Sequence, residues 1–362
     1  MQKEIVITHS KPYIADDDVE AVKNVLCSNM IAEGKLVSEF EHAIGEYLGL
    51  NPGVATFTGT AALYLAVKSL DIGVGDEVIM PTYVCRSVWD AISQTGAHAV
   101  FCDIGDDWCM NAETVKPHIN SKTKAIIVVH IFGISADVQS ICDFGVPVIE
   151  DCCQALGAKL NDNRYAGTCG DICCLSFHAT KLLATGEGGM VLSKNKRQIE
   201  KIKILKEGSD GELSIRYRMP MTDLQAALGL SQLKKYPSFL EKRKWIADQY
   251  FDQLSDLPIE LPHNIRNRSI FFRFPIKMTK EFNTIRKLFD NEGIQVRRGV
   301  DTLLHLQSSH AKETLINAET LFKETISLPL YPALDIEDIK RVISSCRKIF
   351  SNSHARRRHN ER

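Results

Sequence analysis

Absences narrow this 362-residue sequence first. Charge of one sign is missing: 44 Lys and Arg stand against 45 Asp and Glu, a formal net charge of −1. Such a balance gives no broad electrostatic pull toward nucleic acid or an anionic membrane surface. No apolar run approaches the ~18 residues of a membrane span. The start, Met1-Gln2-Lys3-Glu4-Ile5, mixes charge and lacks a basic, apolar and small-residue leader. These absences predict a cytoplasmic protein with neither nucleic acid nor membrane as partner. Internal repeats and low-complexity segments are missing too. Eleven cysteines are present, but the two-residue spacing of a zinc ribbon is not. Cys152-Cys153 and Cys169 with Cys173-Cys174 lie in apolar, strand-like text, so no metal site is expected. Most cysteines read as small buried hydrophobes of a reducing compartment.

What is there alternates. Helical periodicity over residues 16–27 and 37–48 gives way to short apolar strands near 77–80, 98–103, 125–130 and 146–151. That order predicts an α/β fold with a large, mixed, mainly parallel sheet and helices on both faces. Residues 171–177 read as a further strand and 189–193 as its return. Helices are expected over 223–235 and 241–254, the second bridging to a smaller α+β lobe. That lobe would hold strands at 270–276 and 295–298 and helices at 280–291 and 336–350. The expected division is a large domain over residues 1–245, a small C-terminal domain over 246–350 and a disordered tail over 351–362. Arg356-Arg357-Arg358 is too short a basic run to imply nucleic acid. Asn161-Asp162-Asn163-Arg164 signals a hairpin turn, and residues 206–212, rich in Gly and charge, a mobile loop.

Three motifs carry chemistry. Ser176-Phe177-His178-Ala179-Thr180-Lys181 puts a lysine on a tight polar turn. Pro147-Val148-Ile149-Glu150-Asp151 reads as a buried strand ending on an aspartate, where open α/β sheets place ligands. Thr58-Gly59-Thr60 opens an apolar helix whose free amides, dipole and hydroxyls suit a phosphate. Together they match the needs of pyridoxal 5'-phosphate. Lys181 would form the imine with the aldehyde, and Asp151 would keep the ring nitrogen protonated, making the ring an electron sink. Taken singly, each has an ordinary structural explanation: a solvated lysine, a helix cap, a good helix start. The combination points to the cofactor.

Further motifs follow in order: Gly75-Asp76-Glu77-Val78-Ile79-Met80-Pro81-Thr82, Ile149 to Ala158 with Gln154, Gly186-Glu187-Gly188-Gly189, Tyr217-Arg218-Met219, Leu224 to Gly229 and Ile326-Ser327-Leu328-Pro329-Leu330-Tyr331-Pro332. With these the chain resembles the DegT/StrS-type nucleotide-sugar aminotransferases, a fold-type I pyridoxal phosphate family. The resemblance implies Lys181 as the Schiff-base lysine, Asp151 as partner of the pyridine nitrogen and Gln154 beside the phenolic oxygen. It implies Gly59, Thr60 and Ser176 at the phosphate and His178 next to the cofactor. It also implies an amino donor, L-glutamate, a keto-sugar acceptor, usually nucleotide-linked, and a homodimer with shared active sites.

Two positions depart from the family pattern. Cys85 stands where relatives carry an aromatic that stacks on the cofactor ring; either its sulfur meets the ring face or another side chain covers it. Arg216 replaces an Asn that reaches the neighbouring subunit's phosphate, and is a candidate for that contact. Arg297, Arg298, His305, Phe271 and Phe272 fall in the lobe that would face the sugar. Lys181 favours transamination over the related sugar dehydratases, which carry His there. The sequence also admits a lyase acting on a small amino acid and a regulatory, non-catalytic relative.

Overall fold

The structure, a computed structural model, describes residues 7–208, 215–307 and 314–357. Helices α1 (Asp16–Ser28) and α2 (Lys35–Leu48) precede strand β1 (Val54–Thr56) and helix α3 (Gly59–Ser69). Next come β2 (Glu77–Pro81), α4 (Arg86–Ser93), β3 (His98–Cys102), α5 (Ala112–Val115), β4 (Thr123–Val129), α6 (Val138–Cys142) and β5 (Val148–Asp151). β6 (Ile172–Ser176), β7 (Gly189–Leu192) and α7 (Lys196–Glu207) follow. The strands form one sheet in the order β1-β7-β6-β5-β4-β2-β3. The neighbours from β6 to β3 pair in parallel, whereas β7 runs against both β6 and β1. β5 is buried along its whole length, as a central parallel strand covered on both faces must be.

Helix α8 (Asp223–Leu254) is continuous where the sequence predicts two helices. Pro237 lies inside it and removes one backbone donor, at a cost of about 3 kcal/mol. Packing on both sides of the proline offsets that cost: Tyr236 and Phe239 are buried, the Tyr236 hydroxyl donates to Leu156 O at 2.6 Å, and Lys235 Nζ reaches Asp17 and Asp18 at 2.6 and 2.7 Å.

The chain then forms β8 (Phe274–Lys277), α9 (Phe282–Asn291), β9 (Arg297–Arg298), α10 (Ile316–Glu324), β10 (Thr325–Leu328) and α11 (Ile336–Arg357). β10 lies between β8 and β9, antiparallel to both. Its apolar face joins Ile246 and Tyr250 of α8, Ile285 of α9 and Val342 of α11 in a second buried cluster, separate from the one around the large sheet. Ile7 belongs to this second cluster, while Leu303, Leu304 and Leu321 pack into the first.

Three expectations are corrected. The predicted strand over 270–276 begins only at Phe274, because Phe271 takes a left-handed φ of 53° and the chain bends there. Ile270 and Phe272 instead donate to the carbonyls of Gly133 and Phe132, both at 3.0 Å. Buried Arg243 of α8 holds the bend, donating to Phe271 O, Phe272 O and Leu330 O at 3.0, 3.2 and 3.0 Å; burial lowers its pKa to about 10. Lys206, placed in a mobile loop by the sequence, lies in the last turn of α7, where its buried ammonium pairs with Glu33 and donates to Ala55 O at 3.2 Å. The heart of that expected loop, residues 209–214, lies outside the described residues. α11 continues to Arg357, past the predicted stop at Phe350, and the last five residues of the expected tail lie outside the described residues. Among the described residues no helix is long and apolar enough to cross a membrane.

Candidate active site

The carboxyl end of β5, the turn between β6 and β7 and the first turn of α3 converge on one cavity of about 370 Å³. Asp151 closes β5 and is only 3% exposed. Its Oδ1 accepts the Cys153 N–H at 3.0 Å, and the carboxylate lines the cavity. A buried carboxylate facing a cavity calls for a cationic or protonated partner.

Lys181 sits in the β6–β7 connection, which closes on itself. Phe177 N donates to Gly188 O, Ala179 N to Gly186 O, Lys181 N to His178 O and Thr185 N to Phe177 O, each at 2.8 Å. The lysine is thus a side chain on a fixed turn between two paired strands. Its ammonium lies 5.2 Å from the Phe272 ring centroid, within cation–π range.

Thr58 caps α3: its Oγ1 accepts the Ala61 N–H at 3.1 Å, which leaves the preceding amides of the first turn pointing outward. Thr58, Gly59 and Thr60 line the cavity with Ser176. Gly59 is required there, since a Cβ would lie 2.6 Å from Ser176 Cβ. His178 is oriented by Thr180, whose Oγ1 lies 2.8 Å from Nδ1 and whose N–H donates to Nδ1 at 3.2 Å; Nε2 stands 3.7 Å from Glu187 Oε1.

Cys85, the residue capping α4, lines the cavity with Ser87. It opens to solvent through the cavity yet is ringed by protein atoms. That crowding, with the charge of Asp151 second, pushes its pKa up, and the same two causes raise Cys153 further. Tyr83 does not take the place of the family aromatic, since it is buried against Phe132 with ring centroids 6.3 Å apart.

Seven of the nine sequence-predicted site residues therefore meet: Lys181, Asp151, Gly59, Thr60, Cys85, Ser176 and His178. Gln154 does not line this cavity; its Oε1 accepts the Phe132 N–H at 2.8 Å instead. Arg216 is exposed and away from the cavity of its own chain. Of the candidate sugar-facing residues, Arg298 is spent on Phe282 and Phe322, 4.4 and 4.7 Å from their rings. Sequence reasoning missed Leu63, Ser87, Cys153, Thr180 and Glu187 as cavity residues. Ser87 and Glu187 had a signal, one lying two residues after Cys85 and the other inside the Gly-rich motif after Lys181.

A second polar cluster centres on Glu150, the residue before Asp151. His130, Glu150 and Cys152 bring ligand atoms within 4.8 Å of one another. Glu150 is already saturated: Oε1 accepts Cys169 N–H and Gly170 N–H at 2.8 and 2.6 Å, and Oε2 accepts Gly167 N–H and His130 Nε2–H at 2.8 and 2.9 Å. His130 Nδ1 accepts the Ala136 N–H at 3.1 Å. With every lone pair engaged, the group is a clamp that fixes the loop before β6 beside Asp151.

A model of the DegT/DnrJ/EryC1/StrS aminotransferase family matches residues 12–347. The chain belongs to this family. It is 31% identical over 342 residues to GDP-perosamine synthase of Vibrio cholerae, covering 88% of this chain and 92% of that protein. It is 30% identical over 373 residues to the dTDP-4-dehydro-2,3,6-trideoxy-D-glucose 4-aminotransferase of Saccharopolyspora spinosa, covering 95% and 96%. It is also similar to the crystal structure of NtdA from Bacillus subtilis with bound cofactor PMP, with a TM-score of 0.85 and 28% identity over 93% of this chain and 82% of that one.

The protein is therefore an aminotransferase, and pyridoxal 5'-phosphate is its cofactor. The residues present fit that group. A buried carboxylate suits the pyridinium nitrogen, an amine on a rigid turn suits the aldehyde carbon, and a helix start packed against Ser176 suits the phosphate.

Proposed function

We propose that this aminotransferase carries an amino group from L-glutamate to the ketone of a nucleotide-linked sugar, in amino-sugar biosynthesis. The observation that carries the reading is the convergence of Lys181, Asp151 and the first turn of α3 on one cavity. The names of the two relatives, which refer to GDP- and dTDP-linked sugars, support the acceptor class. Bound pyridoxal phosphate supplies an electron sink joined to the carbon that exchanges nitrogen. Asp151 keeps the ring nitrogen protonated by charge. Lys181 holds the cofactor between turnovers and then moves a proton as general acid and base. The α3 amides, Thr60 and Ser176 grip the phosphate and fix the ring's pose.

The same reading makes the protein a homodimer in which Arg216 meets the partner's cofactor phosphate. Phe57, beside the α3 turn, and Ile215, beside Arg216, support it: these apolar side chains are 41% and 79% exposed, next to the very residues an interface would join. A large domain over residues 1–245, a smaller one over 246–350 and a cytoplasmic location complete the reading. All eleven cysteines are free thiols, which suits a reducing compartment.

Absorption spectra test the donor half. L-Glutamate added without sugar should deplete the band near ~400 nm and raise one near ~330 nm, as the cofactor takes up the amino group. An unchanged spectrum sinks the donor assignment and returns weight to a dehydratase or a non-catalytic protein. Screening of keto sugars then tests the acceptor. Arg216→Ala should release cofactor more readily, and a wild-type protein that is monomeric in solution, or a variant that retains cofactor like wild type, removes the shared-site reading.

A further inference from the structure

Beside the catalytic cavity lies a slot of about 100 Å³ lined by Arg86, Trp89, Leu304 and Gln307. The first turn of α4 serves both. Cys85 and Ser87 line the catalytic cavity, whereas Arg86 and Trp89, three residues apart and so on one helix face, line the slot. Leu304 and Gln307 complete the lining from a second wall, around a single 3-10 turn at His305–Gln307. That turn is tied to the end of β2. Buried His305 has Nδ1 2.7 Å from Thr82 Oγ1, and its N–H donates to the same oxygen at 3.2 Å. Thr82 lies three residues before Cys85, so both walls hang from one strand end and the slot is preformed.

Its chemistry is ordered. The Arg86 guanidinium stands 5.3 Å from the Trp89 ring centroid and pairs with Asp90 at 3.2 Å, which fixes the indole. Trp89 offers an aromatic face, Leu304 an apolar wall, and exposed Gln307 a carboxamide with both donors and an acceptor. An aromatic platform with one carboxamide recognises a planar heterocycle by stacking and by hydrogen bonds to its edge. Arg86, on a side chain 64% exposed, lies in sequence between the cavity-lining Cys85 and Ser87, and Trp89 follows about one turn farther along α4. The phosphates of a nucleotide-linked sugar lie, in the same order, between sugar and base.

We propose that this slot is the nucleobase subsite of the sugar-nucleotide substrate. Trp89 stacks on the base, Gln307 reads its edge and Arg86 faces the phosphates. The proposal rests on the nucleotide-linked reading of the acceptor given above.

Calorimetric titration of UDP, dTDP and GDP into the holoenzyme tests it, with Trp89→Ala and Gln307→Ala proteins and inorganic pyrophosphate alongside. At least one nucleotide should bind, and Trp89→Ala should weaken it by ~10-fold or more, the usual worth of one stacked base. Gln307→Ala, an exposed change that leaves the fold intact, should shrink the preference among the three bases. Both variants should keep the L-glutamate-driven spectral change. Equal affinity in wild type and both variants, no binding of any nucleotide, or pyrophosphate binding as tightly as the nucleotides would each overturn the proposal. A wild-type protein whose spectrum ignores L-glutamate would count against the donor reading alone, and the nucleotide titration would still decide the slot.

Discussion

Gly59 lies against Ser176 so closely that a methyl group on its α-carbon would sit 2.6 Å from the serine Cβ. The start of α3 and the end of β6 are thereby packed with no room for a side chain between them. Gly59→Ala must push the two apart, and overpacking of this kind costs ~1–3 kcal/mol. Cofactor affinity, measured by equilibrium dialysis of pyridoxal phosphate, should fall about tenfold, since ~1.4 kcal/mol is a factor of ten. Unchanged affinity would mean the phosphate sits elsewhere.

Lys181→Ala should bind cofactor without the long-wavelength absorption of the lysine-linked form. Turnover should drop by at least ~10²–10⁴, the range of a lost general acid and base. Because the β6–β7 turn is held by backbone bonds rather than by the lysine side chain, thermal melting should stay close to wild type. A variant as active as wild type would sink the assignment.

Asp151→Asn removes the charge proposed to serve the ring nitrogen while keeping the shape and the acceptor for Cys153 N–H. A nearby opposite charge shifts a pKa by ~1–3 units, so the rate should fall by roughly tenfold to a thousandfold with cofactor still bound. Stopped-flow spectra of the glutamate half-reaction would measure this directly. Equal rates would reduce Asp151 to a turn-capping role.

Glu150 makes an acid-dependent contribution to stability. Burial alone would raise its pKa, but the bonds from His130 and from the amides of Gly170 and Gly167 hold it below the ordinary 4.5. The folded protein thus binds this proton more weakly than the unfolded chain does. The stabilisation is complete above the unfolded carboxylate's range and is lost as pH falls through the folded pKa. Glu150→Gln should cost about 3 kcal/mol at pH 7, as loss of one partner of a buried pair does, and the deficit should shrink in acid. Urea melts of both proteins at pH 7 and pH 4 would check this, and a deficit independent of pH would refute it.

The parts of the site legible in the sequence were those carried by contiguous text. β5 ends on Asp151 because a short apolar, β-branched run leads into two acids, and Lys181 sits on a turn because Gly-rich text separates two apolar strands. What the sequence does not display are the contacts made only through space. Phe272 reaches Lys181 because Phe271 turns the chain and Arg243, on another element, bonds both their carbonyls. Gln154 stands close to Asp151 in sequence, but its amide is claimed by the Phe132 N–H, a partner 22 residues away. Pro237 is a local signal for a helix break, and α8 runs through it. Partners contributed by α1 and by the segment after β5, invisible to any local pattern, outweighed it.

The cavity holds two sulfur atoms, Cys85 and Cys153, beside the seat of an aldehyde-bearing cofactor. Sulfur is a hazard in that position, because a thiolate would compete with the lysine for the aldehyde carbon. Enclosure by protein and the negative charge of Asp151 both work against ionisation of these thiols. In the proposed arrangement the aspartate assigned to the ring also disarms the thiols around it, so cysteine at position 85 is compatible with an aldehyde-bearing cofactor.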